Sequence, residues 1–192
     1  MAWEQISLNR LDIPFNEVYS FMGYTDDEPD AQTVRTTEYL LRESAQFLRP
    51  QFKYVIVDGT LDLEANQLTL IGEKGPVTFD AGKIICRQLR GAQKYAVFVA
   101  TVGSGYFQWT DAVKRRDDMF QTYAMDCVGS QIVESVADYM ETVLQAEIDP
   151  PDSSAPTVSA RVTAAGMYRH NLPFSACSPR RTPAALNSRT LA

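Results

Sequence analysis

The chain has 192 residues, 45% hydrophobic and 22% charged, with a net charge of −6. That describes one ordinary globular domain, with no apolar run long enough for a transmembrane helix. The charge is uneven: residues 151–192 set only Asp152 against five arginines, a net of +4, so the first 150 residues carry −10. A body without a basic patch excludes nucleic acid as an expected partner. An acidic surface suits a basic protein partner, although it more commonly serves solubility.

The opening segment "MAWEQISLNRLD" has neither the basic nor the apolar region of a signal peptide. Cys86, Cys127 and Cys177 lie far apart, with no C-x-x-C. Reduced thiols in a cytoplasmic protein are the expectation.

In chain order, residues 1–24 predict a short strand or turn and then a short helix. Asn16 is its candidate N-cap, Val18, Phe21 and Met22 form its apolar stripe, and Gly23 ends it. The loop "TDDEPDAQTVR" gathers Asp26, Asp27, Glu28 and Asp30. It lacks the glycine and the terminal glutamate of an EF-hand, so a solvated loop is the better reading.

"TVRTTEYLLRESAQFLRP" predicts an amphipathic helix. Val34, Tyr39, Leu40, Leu41, Ala45 and Leu48 supply its buried side, Glu38 and Arg42 its exposed one, and Pro50 stops it. Strands follow in "FKYVIVDG", "QLTLIG" and after Lys74-Gly75-Pro76, with a turn at Ala65-Asn66. A helix from about Ala81 to Leu89 is closed by Gly91, with Ile84, Ile85 and Leu89 facing inward.

"KYAVFVATVG" reads as the central strand. Its apolar residues do not alternate, which predicts burial on both faces. Gly103-Ser104-Gly105 invites comparison with a phosphate-binding turn. The third glycine of a dinucleotide fingerprint is replaced by Gln108, and no Walker lysine is present, so a tight turn is the reading. A long helix then spans about Asp117 to Glu147. Met125, Val128, Ile132, Val136, Met140 and Val143 form one apolar face, with Glu134, Asp138, Glu141 and Gln145 on another. Gly129 inside it costs about 1 kcal/mol relative to alanine. That implies close approach by another backbone, the central strand being the candidate.

The chemistry available is narrow. The one histidine, His170, lies in the C-terminal segment, so a catalytic triad or a histidine zinc site has almost no material. Glu134 and Asp138 sit at i,i+4, which is more often a solvated helix face than an acid–base pair.

The strand "AVFVATVGSGYFQW" and the helix "DDMFQTYAMDCVGSQIVESVADYM" resemble the activation domain of cobalamin-dependent methionine synthase or its stand-alone relatives. The carrying residues are Thr101-Val102-Gly103, Asp126-Cys127-Val128-Gly129-Ser130 and Val133-Glu134. The resemblance covers about residues 10–147, with looser fit upstream. It implies an α+β fold with a mixed, antiparallel-rich sheet and flanking helices. It also implies an accessory module that binds S-adenosylmethionine and docks a corrinoid protein, so that oxidised cobalamin is remethylated. Glu134 is then the candidate cofactor-binding acid, its carboxylate facing the ligand's ammonium. No catalytic and no metal residue is implied. The chain lacks the Asp-x-His-x-x-Gly loop that ligates cobalt, so cobalamin comes only with the partner. The alternatives are a ligand-free scaffold domain and, less favoured, an independent methyltransferase, for which no glycine-rich loop is present.

The domain reading is a body at 1–149 and a low-order tail at 150–192. The family's Arg-x-Ser/Ala-Pro-Gly-Tyr motif is missing from the tail, which is rich in Ala, Arg, Pro and Ser and has no Glu or Lys. It is either a flexible tail or a frameshifted one. Joining the last base of each codon to the first two of the next permits Ser-Pro-Gly-Tyr-Cys-Gly-Trp from Ser159 onward. From Pro183 to Ala192 the same shift permits Cys-Gly-Ile-Glu-Leu-Thr-Asp-Ser-Cys. A displaced frame removes the second half of the family's ligand site and exposes apolar surface that it would cover. Arg161 and Tyr168 are not equivalents of the missing motif's residues.

Overall fold

The computed structural model describes residues 2–92 and 94–148. The expected low-order tail, with His170, Cys177, Arg161 and Tyr168, lies outside them. The elements run β1 (Glu4–Gln5), a single 3-10 turn, α1 (Phe15–Phe21), α2 (Ala31–Ser44), β2 (Gln51–Asp62), β3 (Gln67–Gly72), β4 (Gly75–Asp80), α3 (Gly82–Gln88), β5 (Lys94–Thr101), α4 (Gly105–Lys114) and α5 (Met119–Ile148). The fold is α+β.

The five strands form one sheet, and every described pairing is antiparallel, so the expected mixture of directions is not found. β2 is the backbone of the sheet. Phe52 faces Glu4 on one edge and Ala100 on the other, and Asp58 likewise faces Ile71 and Lys94. β1 and β3 therefore share one edge of β2, and β5 holds the other. Asn66, in the left-handed region at φ 55°, makes the β2–β3 turn, and Gly75 at φ 107° ends the β3–β4 turn.

Phe52, Tyr54, Ile56, Ala96, Phe98 and Ala100 point from β2 and β5 to the inner face, where α5 packs. The Phe52 ring lies 6.2 Å from that of Tyr139 on α5. Tyr54 donates to the Glu147 carboxylate near the end of α5. That bond, with burial, pushes the Tyr54 phenol up to about 12.

β5 is not buried on both faces. Val97 and Val99 are 43% and 51% exposed, while Ala96, Phe98 and Ala100 are half-buried. α5 covers only the inner face, so an unbroken apolar run here alternates all the same. α3 is one residue shorter at each end than expected and is turned differently. Cys86 is its buried residue and Ile84 is 75% exposed. Gly91, at φ 84°, stands two residues beyond the C-cap Leu89.

α1 begins earlier than expected, with Pro14 at the N-cap, Asn16 inside the helix and Phe21 exposed. α2 is capped by Asp30, whose carboxylate accepts from the main-chain N–H groups of Gln32 and Thr33 at 2.8 and 3.0 Å and from the Thr33 hydroxyl. Those bonds hold the Asp30 carboxyl below its usual range. The buried side of α2 is Thr33, Thr37, Leu40 and Ser44, with Tyr39 and Ala45 exposed. The helix ends at Ser44, before Pro50 is reached.

α5 starts after Asp117, a left-handed residue at φ 55°, with the Asp118 carboxylate accepting from the Gln121 N–H at 2.9 Å. Its burial is wider than one stripe. Met125, Val128, Ile132, Val136 and Met140 are joined by Ala124, Cys127, Gly129, Gln131, Ser135 and Leu144. The helix is wedged between the sheet and α1, α2 and α4, so most of its middle circumference meets protein. Val143 is only half-buried.

Candidate functional site

The middle of α5 carries the residues that the sequence singles out. Glu134 is half-buried there, one turn beyond Gln131 and one turn before Asp138, which is exposed. Glu134, Asp138 and Glu141 are each engaged in an interaction, so this acidic row is not simply solvated. Gln131 is 1% exposed. Its amide nitrogen stands 3.5 Å from the Ser135 hydroxyl, while its amide oxygen has no hydrogen-bond donor among the described residues. A buried carbonyl oxygen without a donor costs about 1–3 kcal/mol, so a donor supplied from outside these residues would be rewarded there. Of the two acceptors, the half-buried Glu134 carboxylate is the one open to a cationic donor such as an ammonium, whereas the Gln131 oxygen is sealed inside.

Gly129, two residues before Gln131, serves a different neighbour from the one expected. A Cβ built on it would stand 2.7 Å from Cε2 of Tyr106. The close approach is by an aromatic ring on α4, not by the central strand. Tyr106 donates to the Asp126 carboxylate at 2.8 Å. Burial first, then that carboxylate, push its phenol well above the usual tyrosine range. The ring therefore stays neutral and fixed between α4 and α5.

The turn at Gly103-Ser104-Gly105 is filled by protein. Gly103 takes φ 83° beside the Arg49 carbonyl, and Arg49 in turn donates its N–H to Val102 O at 2.8 Å. A Cβ on Gly105 would stand 1.9 Å from the Phe47 carbonyl oxygen. The space in which a phosphate would have to sit is occupied by the α2–β2 connection.

Sequence reasoning missed α4 itself. Its Trp109 and Val113 are fully buried, and their i,i+4 spacing after Tyr106 was the available signal. It also missed a polar knot beneath α4. Glu43 of α2 accepts from Trp109 Nε1 at 3.1 Å, from Tyr39 at 3.1 Å and from Arg116, and Arg116 also donates to Gln121. Among the described residues no group of three or more His, Cys, Asp or Glu is placed to hold a metal ion, and no helix is long and apolar enough to cross a membrane.

No protein-family model matches the chain, and no curated protein matches it. Among solved structures, it superposes on the crystal structure of the MetH reactivation domain bound to AdoHcy. The match covers 75% of this chain and 55% of the other, with a TM-score of 0.55 and 11% sequence identity. The fold is that of the MetH reactivation domain. At this identity the likeness carries the course of the backbone and no residue correspondence. The chain accounts for little more than half of that structure's length.

Proposed function

We infer that the chain is a reactivation-domain-like module that binds S-adenosylmethionine. Its place is beside a corrinoid protein that brings cobalamin, and its role is accessory to remethylation of that cobalamin. The observation that carries the reading is the shared fold with a domain seen bound to AdoHcy, a thioether with the same amino-acid and adenosine parts. The Glu134 carboxylate suits one end of such a ligand: half-buried on α5, it would face the ammonium of the amino-acid part.

A second reading, a scaffold that has lost the ligand, is favoured by one feature. The Arg and Pro-Gly-Tyr elements that the family resemblance assigns to the other side of the ligand are not encoded in this frame.

Calorimetric titration with S-adenosylmethionine separates the two. Heat that saturates, and that falls at least tenfold in affinity in Glu134→Gln with unchanged far-ultraviolet dichroism, supports ligand binding. No heat at millimolar ligand supports the scaffold. Sequencing of the gene across the codons for Pro150 to Ser159 tests the displaced frame, and an intact single frame shared by close relatives would sink it. Co-elution with a corrinoid-bound partner domain tests docking; no retention in the presence of ligand would refute it.

A further inference from the structure

β5 pairs with β2 from Lys94 to Thr101, and no described strand pairs with its other edge. Exposed edges are usually guarded by charge, proline or a bulge. The opposite end of the sheet, β4, carries such a guard in Pro76. Between Tyr95 and Thr101 β5 has no charged residue and no proline, and its register with β2 runs unbroken. The one charge on the strand, Lys94, stands at its start and is held 3.0 Å from Asp58 of β2.

The outer face beside this edge is apolar and free of strand acids. Val97 and Val99 are 43% and 51% exposed, and the Lys53 ammonium lies 5.5 Å over the half-exposed Trp3 ring. The acids of the sheet, Glu4, Asp58, Asp62 and Asp80, all stand in register with Phe52 and hence on the other face. A chain with a net charge of −6 repels its own copies. Within the sheet, this edge and face are where that repulsion has no source.

We propose that two copies of the chain join here edge to edge, β5 against β5, antiparallel about a two-fold axis at Phe98. Phe98 is the centre of the uncharged run from Tyr95 to Thr101. With the axis there, every residue of the run faces another of the same run, and Lys94 is left outside at each end. Val97 of one copy meets Val99 of the other, twice, and Tyr95 meets Thr101, all on the outer face. Moving the axis by one residue brings into the ladder either Lys94 or Gly103, whose φ of 83° has left the strand. Every second facing pair exchanges two main-chain hydrogen bonds, so the joint supplies about six to eight. A typical protein interface has about ten. The apolar contact is narrow, so the expected dimer is reversible, with a micromolar dissociation constant. The pairing is isologous and closes at two copies. It involves neither Glu134 nor S-adenosylmethionine.

The experiment is sedimentation velocity on the full chain from about 1 to about 200 µM, the range in which so small an interface shows itself. A monomer–dimer exchange is expected, and it should strengthen with salt, because the joint holds no ion pair and the repulsion between copies is screened. Val99→Lys changes an exposed position, so it should leave the far-ultraviolet dichroism unchanged and weaken the dimer at least tenfold. A second test reads the register. In a Cys177→Ser background, Val97→Cys and Val99→Cys should form an intermolecular disulfide on mild oxidation only when the two variants are mixed, since facing Cα atoms lie about 4.5–5.5 Å apart. A chain that stays monomeric at the highest concentration overturns the proposal. So does a dimer that resists Val99→Lys, that weakens with salt, or that cross-links through Val97→Cys alone. Hydrogen exchange completes the test: β5 amides protected equally at every concentration overturn it, since part of the same chain then holds the edge.

Discussion

Gly129 of α5 and Tyr106 of α4 occupy each other's space: the position of a Cβ on Gly129 falls 2.7 Å from Tyr106 Cε2. The ring cannot swing clear without cost, because its hydroxyl is bonded to Asp126 and it packs nearly perpendicular to the Trp109 ring, with centroids 6.2 Å apart. The glycine is the reason that α4 docks where it does.

Gly129→Ala should therefore run against helix propensity. In an open helix the change would stabilise by about 1 kcal/mol. Here overpacking in the upper part of its usual range, about 2–3 kcal/mol, outweighs that gain, for a net loss of about 1–2 kcal/mol. Chemical denaturation of Gly129→Ala, Tyr106→Ala and the double variant checks it. The double variant should lose less than the two single losses added together. Strict additivity would show that the ring is not the obstacle.

Gly105→Ala should cost more. The obstacle is a main-chain carbonyl, Phe47 O at 1.9 Å, which cannot rotate aside like a side chain. The α2–β2 connection or the start of α4 must move. We expect a loss of about 3 kcal/mol or more, in the upper range for overpacking. A melting temperature within about 2 °C of the parent would refute the contact.

These two glycines show what was legible in the sequence. Gly129 announced a close approach and Gly105 a tight turn, and the periodicity of α5 and the strand character of "YAVFVAT" are readable directly. What each glycine approaches was not, because Tyr106 and Phe47 reach them through tertiary contacts that leave no local period. β5 misled for a related reason. Valine suits a half-covered strand as well as a buried one, so Val97 and Val99 gave no sign that their face lay bare. In α2 the buried side includes Thr33, Thr37 and Ser44, which satisfy their hydroxyls locally. An apolar-periodicity reading passes over such residues and selects Tyr39 and Ala45 instead. Glu134 was singled out by resemblance, whereas the buried, unsatisfied Gln131 beside it has no sequence signature.

Cys127 should be chemically quiet in the folded protein. Burial pushes its thiol up to about 11, with the Asp126 carboxylate adding to the effect and a Tyr123 contact opposing it. Cys86 is buried too. In a Cys177→Ser background, a disulfide reagent at pH 8 should label neither thiol within minutes, and both should react at once in denaturant. Rapid labelling of Cys127 without denaturant would contradict its burial in the core.

Glu43 should set the acid limit of stability. Burial raises its carboxyl, but hydrogen bonds from Arg116 and Trp109 outweigh that and hold it below its ordinary range. The pair is well covered, with Glu43 12% and Arg116 28% exposed at the side chain. A folded pKa below the unfolded value of about 4.3 means that the stabilisation is fully present above that pH and disappears as pH falls through the folded value. Glu43→Gln removes the charge and leaves the Arg116 guanidinium short of an acceptor. At pH 7 it should cost about 1–3 kcal/mol. Once the pH has fallen below the folded value the parent carboxyl is itself protonated, so the two proteins should converge. Denaturant titrations of both between pH 7 and pH 3 check this. A stability gap that persists or widens on acidification would show that Glu43 acts through shape alone, and that its charge does not tie α2 to the α4–α5 turn.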